Sequence, residues 1–305
     1  PPAATNPVNR WIIGEVAATA RALETAIATF RFDAYADTIY SFAWNRFCDW
    51  YLELTKPLLA DGADAAIAAE TRQVSGWALD QILVMLHPVM PFLTEELWHK
   101  LAKRENDIIL SQWVALDISS DVEASAEIEW LIETVSEIRS QRVDVGLSPA
   151  VMLPTALLNP TPEDLKKVNR HRKLFGRLAR LKPALIEMEQ KRGSAIGTTT
   201  ILGDDDDFVA AEVFETTSFT TLQMPAGGIT FVAAIEGFID LAAERARLKK
   251  ALAAAEKDRD GLANRLNSSG FAEKAKPEAV EKAREDHAAR SAEATRLTAA
   301  LSRLG

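Results

Sequence analysis

Between residues 7 and 30 apolar side chains return at helical spacing, with Ile12, Val16, Leu23, Ile27 and Phe30 on one face. Asn6 is suited to accept from the first backbone amides and Pro7 to open the first turn, so a long helix is expected to begin there. The stretch YSFAWNRFCDWYLELTKP, residues 40–57, repeats the pattern with rings. Tyr40, Trp44, Phe47, Tyr51 and Leu54 alternate steps of four and three, and Arg46, Asp49, Glu53 and Lys56 lie opposite. This predicts an amphipathic helix capped by Asp33, with an aromatic face that is core and with Cys48 as a small buried hydrophobe. A turn at ADGADA, residues 60–65, leads to a third helix that ends at the prolines of MLHPVMPF. Thr94 is expected to cap a short fourth helix with Glu95 and Glu96 in its first turn. Ile128, Leu131, Val135 and Ile138 mark a fifth over about residues 122–142. Together these make an antiparallel helical bundle, assigned to residues 1–146.

After GLSPA the period changes. VMLPTALL, SAIGTTTILG, SFTTLQMP and GITFVAAI are short β-rich runs separated by Gly, Pro and Asp, and one basic helical segment, EDLKKVNRHRKLFGRLARLK, interrupts them. A small α+β linking module is expected over residues 147–237. From residue 238 Leu241, Leu248, Leu252, Ala255, Leu262 and Leu266 fall on a heptad seam broken by Arg245 and Arg259. A second seam runs Val280, Ala283, His287, Arg290, Ala294, Leu297, Leu301, Leu304, and Gly270 and Pro277 between the two are a stop and a restart. Two helices of roughly 25 residues, about 38 Å each, are expected to fold back as an antiparallel coiled-coil hairpin over residues 238–305. The fold class is therefore mainly α: bundle, small α+β module, terminal hairpin.

At 305 residues and 48% hydrophobic content the chain is long enough for two or three domains. No apolar run of about eighteen residues occurs, and PPAATNPVNRW has neither a basic nor an apolar leader region, so a cytoplasmic protein without a membrane partner is expected. That opening has no initiating methionine and enters directly at a helix cap, which reads as a start within a longer polypeptide. One cysteine excludes an internal disulfide and a cysteine-rich zinc module. The net charge of -9 argues against phosphate binding until its distribution is considered, because residues 139–192 hold 12 basic and 5 acidic residues. The middle of the chain is a basic island on an acidic protein.

Catalytic signatures do not appear. There is no glycine-rich phosphate loop, no paired-histidine metal motif and no Gly-x-Ser-x-Gly elbow. The four histidines have no partner at ligand spacing, and GDDDD, residues 203–207, lacks the alternation of a calcium loop and reads as a solvated turn. Binding rather than catalysis is expected, with no metal and no cofactor.

YSFAWNRFCDWYLELTKPLL closely resembles the anticodon-binding helical domain of bacterial valyl-tRNA synthetases, in which an aromatic FCDWYLE helix precedes a Lys-Pro step. In the same order, NRWII resembles that domain's entry helix, and MLHPVMPFLTEELW resembles a signature shared by the valyl, isoleucyl and leucyl enzymes. SEIRSQRVDVGLSPA resembles the next helix and its exit, while IEGFIDLAAERARLKKALAAAEK and LNSSGFAEKAKPEAVEKAREDHA resemble the start and tip of a C-terminal coiled-coil arm. The likeness covers nearly the whole chain and is weakest over about residues 155–225. It implies the tRNA-binding, C-terminal part of a valine-tRNA ligase, with tRNA(Val) and the catalytic domain of the same polypeptide as partners and a monomeric state. ATP use belongs to the parent enzyme, since the His-x-Gly-His and Lys-Met-Ser-Lys-Ser motifs of its catalytic domain are absent here. The corresponding part of an isoleucyl or leucyl enzyme, or a helical scaffold without RNA, are the alternatives.

The resemblance implies the anticodon loop at the bundle and the outer corner of the tRNA at the arm, and three groups of residues are candidates for RNA contact, the basic segment among them also for contact with another domain. On the anticodon side these are Arg31, Phe32, Asn45 and Arg46, near the first helix joint or on the polar face of the aromatic helix. Arg139 and Arg142, one turn apart, are suited either to clamp a phosphate or to pair with a bundle acid. Lys166, Lys167, Arg170, Arg172, Lys173, Arg177, Arg180 and Lys182 form a segment without a single acid, whose repulsion a purely structural role leaves unexplained. On the arm, Arg245, Arg247, Lys249, Lys250, Lys257, Arg265, Lys274 and Lys276 are candidates for phosphate contact, although charged coiled-coil flanks also serve solubility.

Overall fold

The structure, a computed structural model, describes residues 1–114, 117–183, 188–192, 195–199, 210–211, 221–268, 271 and 275–304. The chain is mainly α, with a small α+β module and a terminal helix pair. It divides into two compact units, Pro1–Ile132 and Glu133–Gly305.

In the first unit α1 (Pro7–Ala28) starts where the sequence places it, with the Asn6 side chain accepting from the Val8 amide at 2.9 Å. Ile12, Val16 and Leu23 are buried, whereas Ile27 and Phe30 face solvent, Phe30 in a left-handed turn at φ 55°. The next helix, α2 (Phe32–Ser41), has Arg31 at its cap position, and Asp33 lies inside the first turn instead of capping it. Asp33 accepts from Arg31 Nε and Nη2 at 2.9 and 2.7 Å, which holds its carboxyl at about 2.

The aromatic stretch departs from the expected stripe. Residues Phe42–Tyr51 wind as a π-helix before α3 (Leu52–Thr55) resumes. Its i→i+5 hydrogen bonds widen the turn, so the buried series is Tyr35, Ile39, Phe42, Phe47, Tyr51, Leu54, with a five-residue step in the middle. Phe47 and Tyr51 pack at 5.5 Å between centroids. Tyr40 and Trp44, expected in the core, are 64% and 56% exposed. Cys48, expected to be buried, is exposed for the same reason.

Asp64 caps α4 (Ala65–Leu86), accepting from the Ala66 and Ile67 amides at 2.8 and 3.0 Å. A polar cluster ties α1, the π-helix and α4: Asn9 Nδ2 donates to Glu70 and Thr71, while Tyr51 Oη donates to Asn9 Oδ1 at 3.1 Å and lies 3.1 Å from Ser75 Oγ. At the far end of α4, Tyr35 Oη donates to the Met85 carbonyl oxygen at 2.6 Å. Helix α5 (Pro91–Leu101) opens on proline, whose fixed φ and missing N–H suit a first turn. Thr94 is consequently interior, not a cap: it is buried, with Oγ1 donating to the Met90 carbonyl and 2.8 Å from His87 Nδ1. The division between units falls within α6 (Val122–Asp144), whose expected stripe Ile128, Leu131, Val135 and Ile138 is fully buried.

In the second unit a mixed sheet has the order β2-β1-β7-β6, with β5 beside β1. Its strands are β1 (Leu153–Leu158), β2 (Leu181–Pro183), β5 (Ala210–Ala211), β6 (Thr221–Ala226) and β7 (Ile229–Ala234). A separate hairpin pairs β3 (Met188–Arg192) with β4 (Ala195–Thr199). Gly227 and Gly228, both at positive φ, make the two-residue turn that closes β6 on β7. The basic segment is helical as expected: α7 (Pro162–Arg170), closed at its start by a Thr161–Asp164 capping box, then α8 (Arg172–Leu174) and a π-turn Phe175–Ala179 ending on left-handed Arg180. Phe175 packs on Phe231 of the sheet. The acidic run at residues 203–207 and residues 218–220 of SFTTLQMP lie outside the described residues.

Helices α9 (Leu241–Asn267) and α10 (Pro277–Arg303) pack together as the terminal pair. Leu248, Ala255, Ala283, Ala294 and Leu297 form the covered seam. Arg290, placed on that seam by the heptad count, turns outward and pairs with Glu293 and Asp258, because seating its guanidinium between the helices would desolvate a charge.

Candidate nucleic-acid interface

Of the four bundle residues expected near an anticodon, three are open. Phe32 is 66% exposed, Arg31 is exposed in its pair with Asp33, and Asn45 is exposed with Nδ2 donating to Ser41 Oγ at 3.2 Å. Arg46 is not on an open polar face. It lies 5.0 Å over the Trp11 ring, with Nε donating to Glu15 at 2.7 Å and Nη2 pairing with Glu129, the acid that also accepts from Trp11 Nε1. Three elements converge on this guanidinium, and its donors hold the bundle together. What the helical count missed is the Tyr40–Trp44 pair, whose rings are parallel to within 2° at 6.4 Å and stand in solvent one residue from Asn45. The signal was the crowding of rings in residues 42–51, which a strict 3.6-residue period could not seat on one face.

Arg139 and Arg142 serve the second unit's own architecture. Arg139 Nε donates to the Leu178 carbonyl at 2.8 Å. Arg142 is 3% exposed and satisfies four carbonyl oxygens, from Nη1 to Ala179 and Arg180 at 2.6 and 3.1 Å and from Nη2 to Ser148 and Val151 at 3.0 and 2.6 Å. The expectation of a phosphate clamp fails for Arg142, because its guanidinium is buried and its donors are taken by carbonyls at the end of the π-turn and in the loop before β1. The basic segment is placed differently. Lys166, Arg170, Lys173 and Arg177 are all exposed, at steps of four, three and four, and Arg180 and Lys182 are exposed beyond them. Lys167 and Arg172 are half-buried, Arg172 donating to the Asn169 carbonyl.

On the terminal pair, Arg245 is engaged with the Leu304 carbonyl and Arg247 with Glu244, both at the base of the hairpin. Lys249, Lys250, Lys257, Arg265 and Lys276 are exposed, and Arg265 stacks 4.3 Å over Phe271. A groove beside Gly261 is bordered by Lys257, Arg265 and Arg290, with Asp258 and Asp286 among them. Lys274 lies outside the described residues.

The expectation that no histidine has a ligand-spaced partner is corrected: Glu95 stands one turn from His99 on α5, a spacing the sequence already held, and tertiary contact adds Asp107. Glu95, His99 and Asp107 bring donor atoms within 4.8 Å of one another, His99 Nε2 lying 3.2 Å from Glu95 and 3.0 Å from Asp107. The cause is the loop after α5, drawn back by Trp98 Nε1 donating to the Asn106 carbonyl and by the Ile108 amide donating to Glu95. All three side chains are partly exposed, and their mutual contacts fasten that loop.

These surfaces offer rings that can stack and cations that can meet phosphates, both features of RNA recognition. Residues 9–157 match the family described as the anticodon-binding domain of tRNA ligase. The fold and this match define the class: the first part of the chain is an anticodon-binding helical domain. Residues 240–305 match the valyl tRNA synthetase tRNA binding arm. The chain therefore belongs to the valyl-tRNA synthetase family and corresponds to the C-terminal part of its members. It is 48% identical to the valine-tRNA ligase of Rhizorhabdus wittichii over 100% of this chain and 31% of that protein. To that of Sphingopyxis alaskensis it is 46% identical over 100% of this chain and 33% of the other, and to that of Caulobacter vibrioides 39% over 100% and 31%. The chain thus spans about a third of the length of the curated relatives it matches. Among the described residues no helix is long and apolar enough to cross a membrane.

Proposed function

We propose that this chain binds a valine-accepting tRNA, taking the anticodon loop on the bundle and the outer corner of the tRNA on the hairpin arm. It is read as part of a monomeric cytoplasmic class I ligase that consumes ATP in a catalytic domain of the same polypeptide; the stretch described here positions the tRNA and carries no reaction of its own. On the bundle, Phe32, Asn45 and the Tyr40–Trp44 pair are the stacking and edge-reading candidates, with Arg31 beside them. On the module and arm, Lys166, Arg170, Lys173 and Arg177 and then Lys249, Lys250, Lys257, Arg265 and Lys276 are the phosphate candidates. Arg46 and Arg142 drop out of the RNA-facing group and become supports for it.

The observation that supports this reading is the set Lys166, Arg170, Lys173, Arg177: four exposed cations within a segment without an acid. A cluster of exposed cations suits a polyanion. Fluorescence anisotropy with valine-, isoleucine- and leucine-accepting tRNA transcripts at several salt concentrations tests it. Preference for the valine tRNA that is lost when its anticodon is changed is the expected result. Equal affinity for all three leaves only an electrostatic grip, preference for another tRNA moves the assignment to that enzyme, and no binding at low salt favours a scaffold without RNA.

A further inference from the structure

The last residue of α6 is an acid, and its position is unfavourable taken alone. A helix carries partial negative charge at its C-terminus, so Asp144 there would be repelled by its own carbonyls unless cations lie close. The cations come from both helices of the arm. Arg296 Nε is 3.5 Å from Asp144 Oδ1, Arg303 Nη1 is 3.8 Å from Oδ2, and Arg247 Nη2 donates to the Asp144 carbonyl oxygen at 3.4 Å. Arg296 and Arg303 are seven residues apart on α10 and so share a face; Arg247 reaches in from α9. The Asp144 side chain is only 13% exposed, and Arg303 Nη1 is buried without a hydrogen bond, so this carboxylate is the charge that compensates it.

Two residues further on, Gly146 at φ 71° passes so close to the arm that an added Cβ would lie 2.9 Å from the Glu244 carboxylate, which is itself held by Arg247. The end of α6 is therefore gripped on one side by Asp144 and its arginines and on the other by a bare backbone against Glu244.

We propose that Asp144 is a positioning residue for tRNA binding: it locks the base of the hairpin arm onto the end of α6 and so fixes the direction in which the arm presents its cations. The inference rests on the arm being a tRNA contact. Its sign is what makes it distinctive, since removing an acid from a protein that binds a polyanion should by charge alone tighten binding. An arm freed from its joint instead lowers the effective concentration of its cations at the RNA, as for any loosely tethered second contact.

The test uses the whole 305-residue chain. Asp144→Asn is expected to weaken tRNA binding by roughly 10-fold while leaving the slope of log affinity against log salt unchanged, because the phosphate contacts keep their number. Glu285→Gln, which removes an exposed acid from the same arm, is expected to leave binding unchanged or to tighten it. Asp144→Asn binding as well as the native chain, or tighter, overturns the proposal. A second measurement does not depend on RNA. In a Cys48→Ser background, dyes at Glu163→Cys and Glu256→Cys report the angle between module and arm by single-molecule energy transfer. Asp144→Asn should broaden that distribution, and Arg296→Gln, which leaves Arg303 in place, should broaden it less. An unchanged distribution refutes the joint even if tRNA binds, whereas broadening without any tRNA binding by the native chain means that the functional reading has failed and the joint has not.

Discussion

Arg142 Nη1 donates to the Ala179 carbonyl oxygen at 2.6 Å, from a side chain that water hardly reaches. With its other three acceptors, the carbonyls of Arg180, Ser148 and Val151, this makes the guanidinium the plug between the end of the π-turn and the loop before β1. Arg142→Ala should therefore destabilise the second unit by on the order of 3 kcal/mol, since several buried carbonyls lose their donor together. Arg142→Lys should recover little, because one ammonium cannot span four acceptors on opposite sides. Chemical denaturation followed by circular dichroism measures this, and a surface-like loss of under about 0.5 kcal/mol would show the plug to be dispensable.

The two ring pairs of the aromatic helix should respond in opposite ways. Phe47→Ala opens a buried hole and is expected to cost about 3–5 kcal/mol of stability. Trp44→Ala should change stability by no more than about 0.5 kcal/mol yet weaken tRNA binding by about 1–3 kcal/mol if a base stacks there. Thermal melts and anisotropy titrations on the same preparations separate the two effects. Undiminished binding by Trp44→Ala removes the exposed pair from the RNA surface.

Neutralising Lys166, Arg170, Lys173 and Arg177 together should reduce the salt dependence of tRNA binding as well as its strength. Every phosphate left without its cation makes the slope shallower by about 0.7–0.9. A weaker complex with an unaltered slope would mean that the four cations act through the fold of the module.

Alkaline pH should loosen the bundle through its two buried phenols. Burial pushes both Tyr35 and Tyr51 up to about 12 from the ordinary value near 10. A group whose folded pKa is raised contributes stability that is complete below the unfolded value and disappears as pH climbs through the folded one. The loss should fall between about pH 10 and 12, and Tyr51→Phe should flatten it. Denaturation midpoints across that range, with the phenolate absorbance band as the titration signal, decide the matter; a midpoint that does not move before about pH 12 contradicts it.

Much of this protein was settled by local pattern. The Asn6–Pro7 start, the turn at residues 60–65, the Ile128–Ile138 stripe and the two terminal helices are short-range signals, each read within a few residues, and the structure follows them. FCDWYLE and the hairpin likewise pointed to the family before any geometry. The exposed cations of the basic segment were also legible, because residues 166–182 hold no acid that could offset their charge locally.

Tertiary structure decided where the helical period gives way and which charged groups face inward. Residues 42–51 carry more rings than one α-helical face can bury, and packing against α1 and α4 selects the π-helix that buries Phe42, Phe47 and Tyr51 while releasing Tyr40 and Trp44. Arg46 and Arg142 read as surface cations, but each is drawn in by partners that no local pattern marks, Glu15 and Glu129 in one case and in the other the carbonyls of Ala179 and Arg180 together with those of Ser148 and Val151. The Asp144 joint depends on arginines more than a hundred residues downstream. Local propensity determines which residues can form a helix; the demand that every buried donor, acceptor and charge find a partner determines how its face is finally turned.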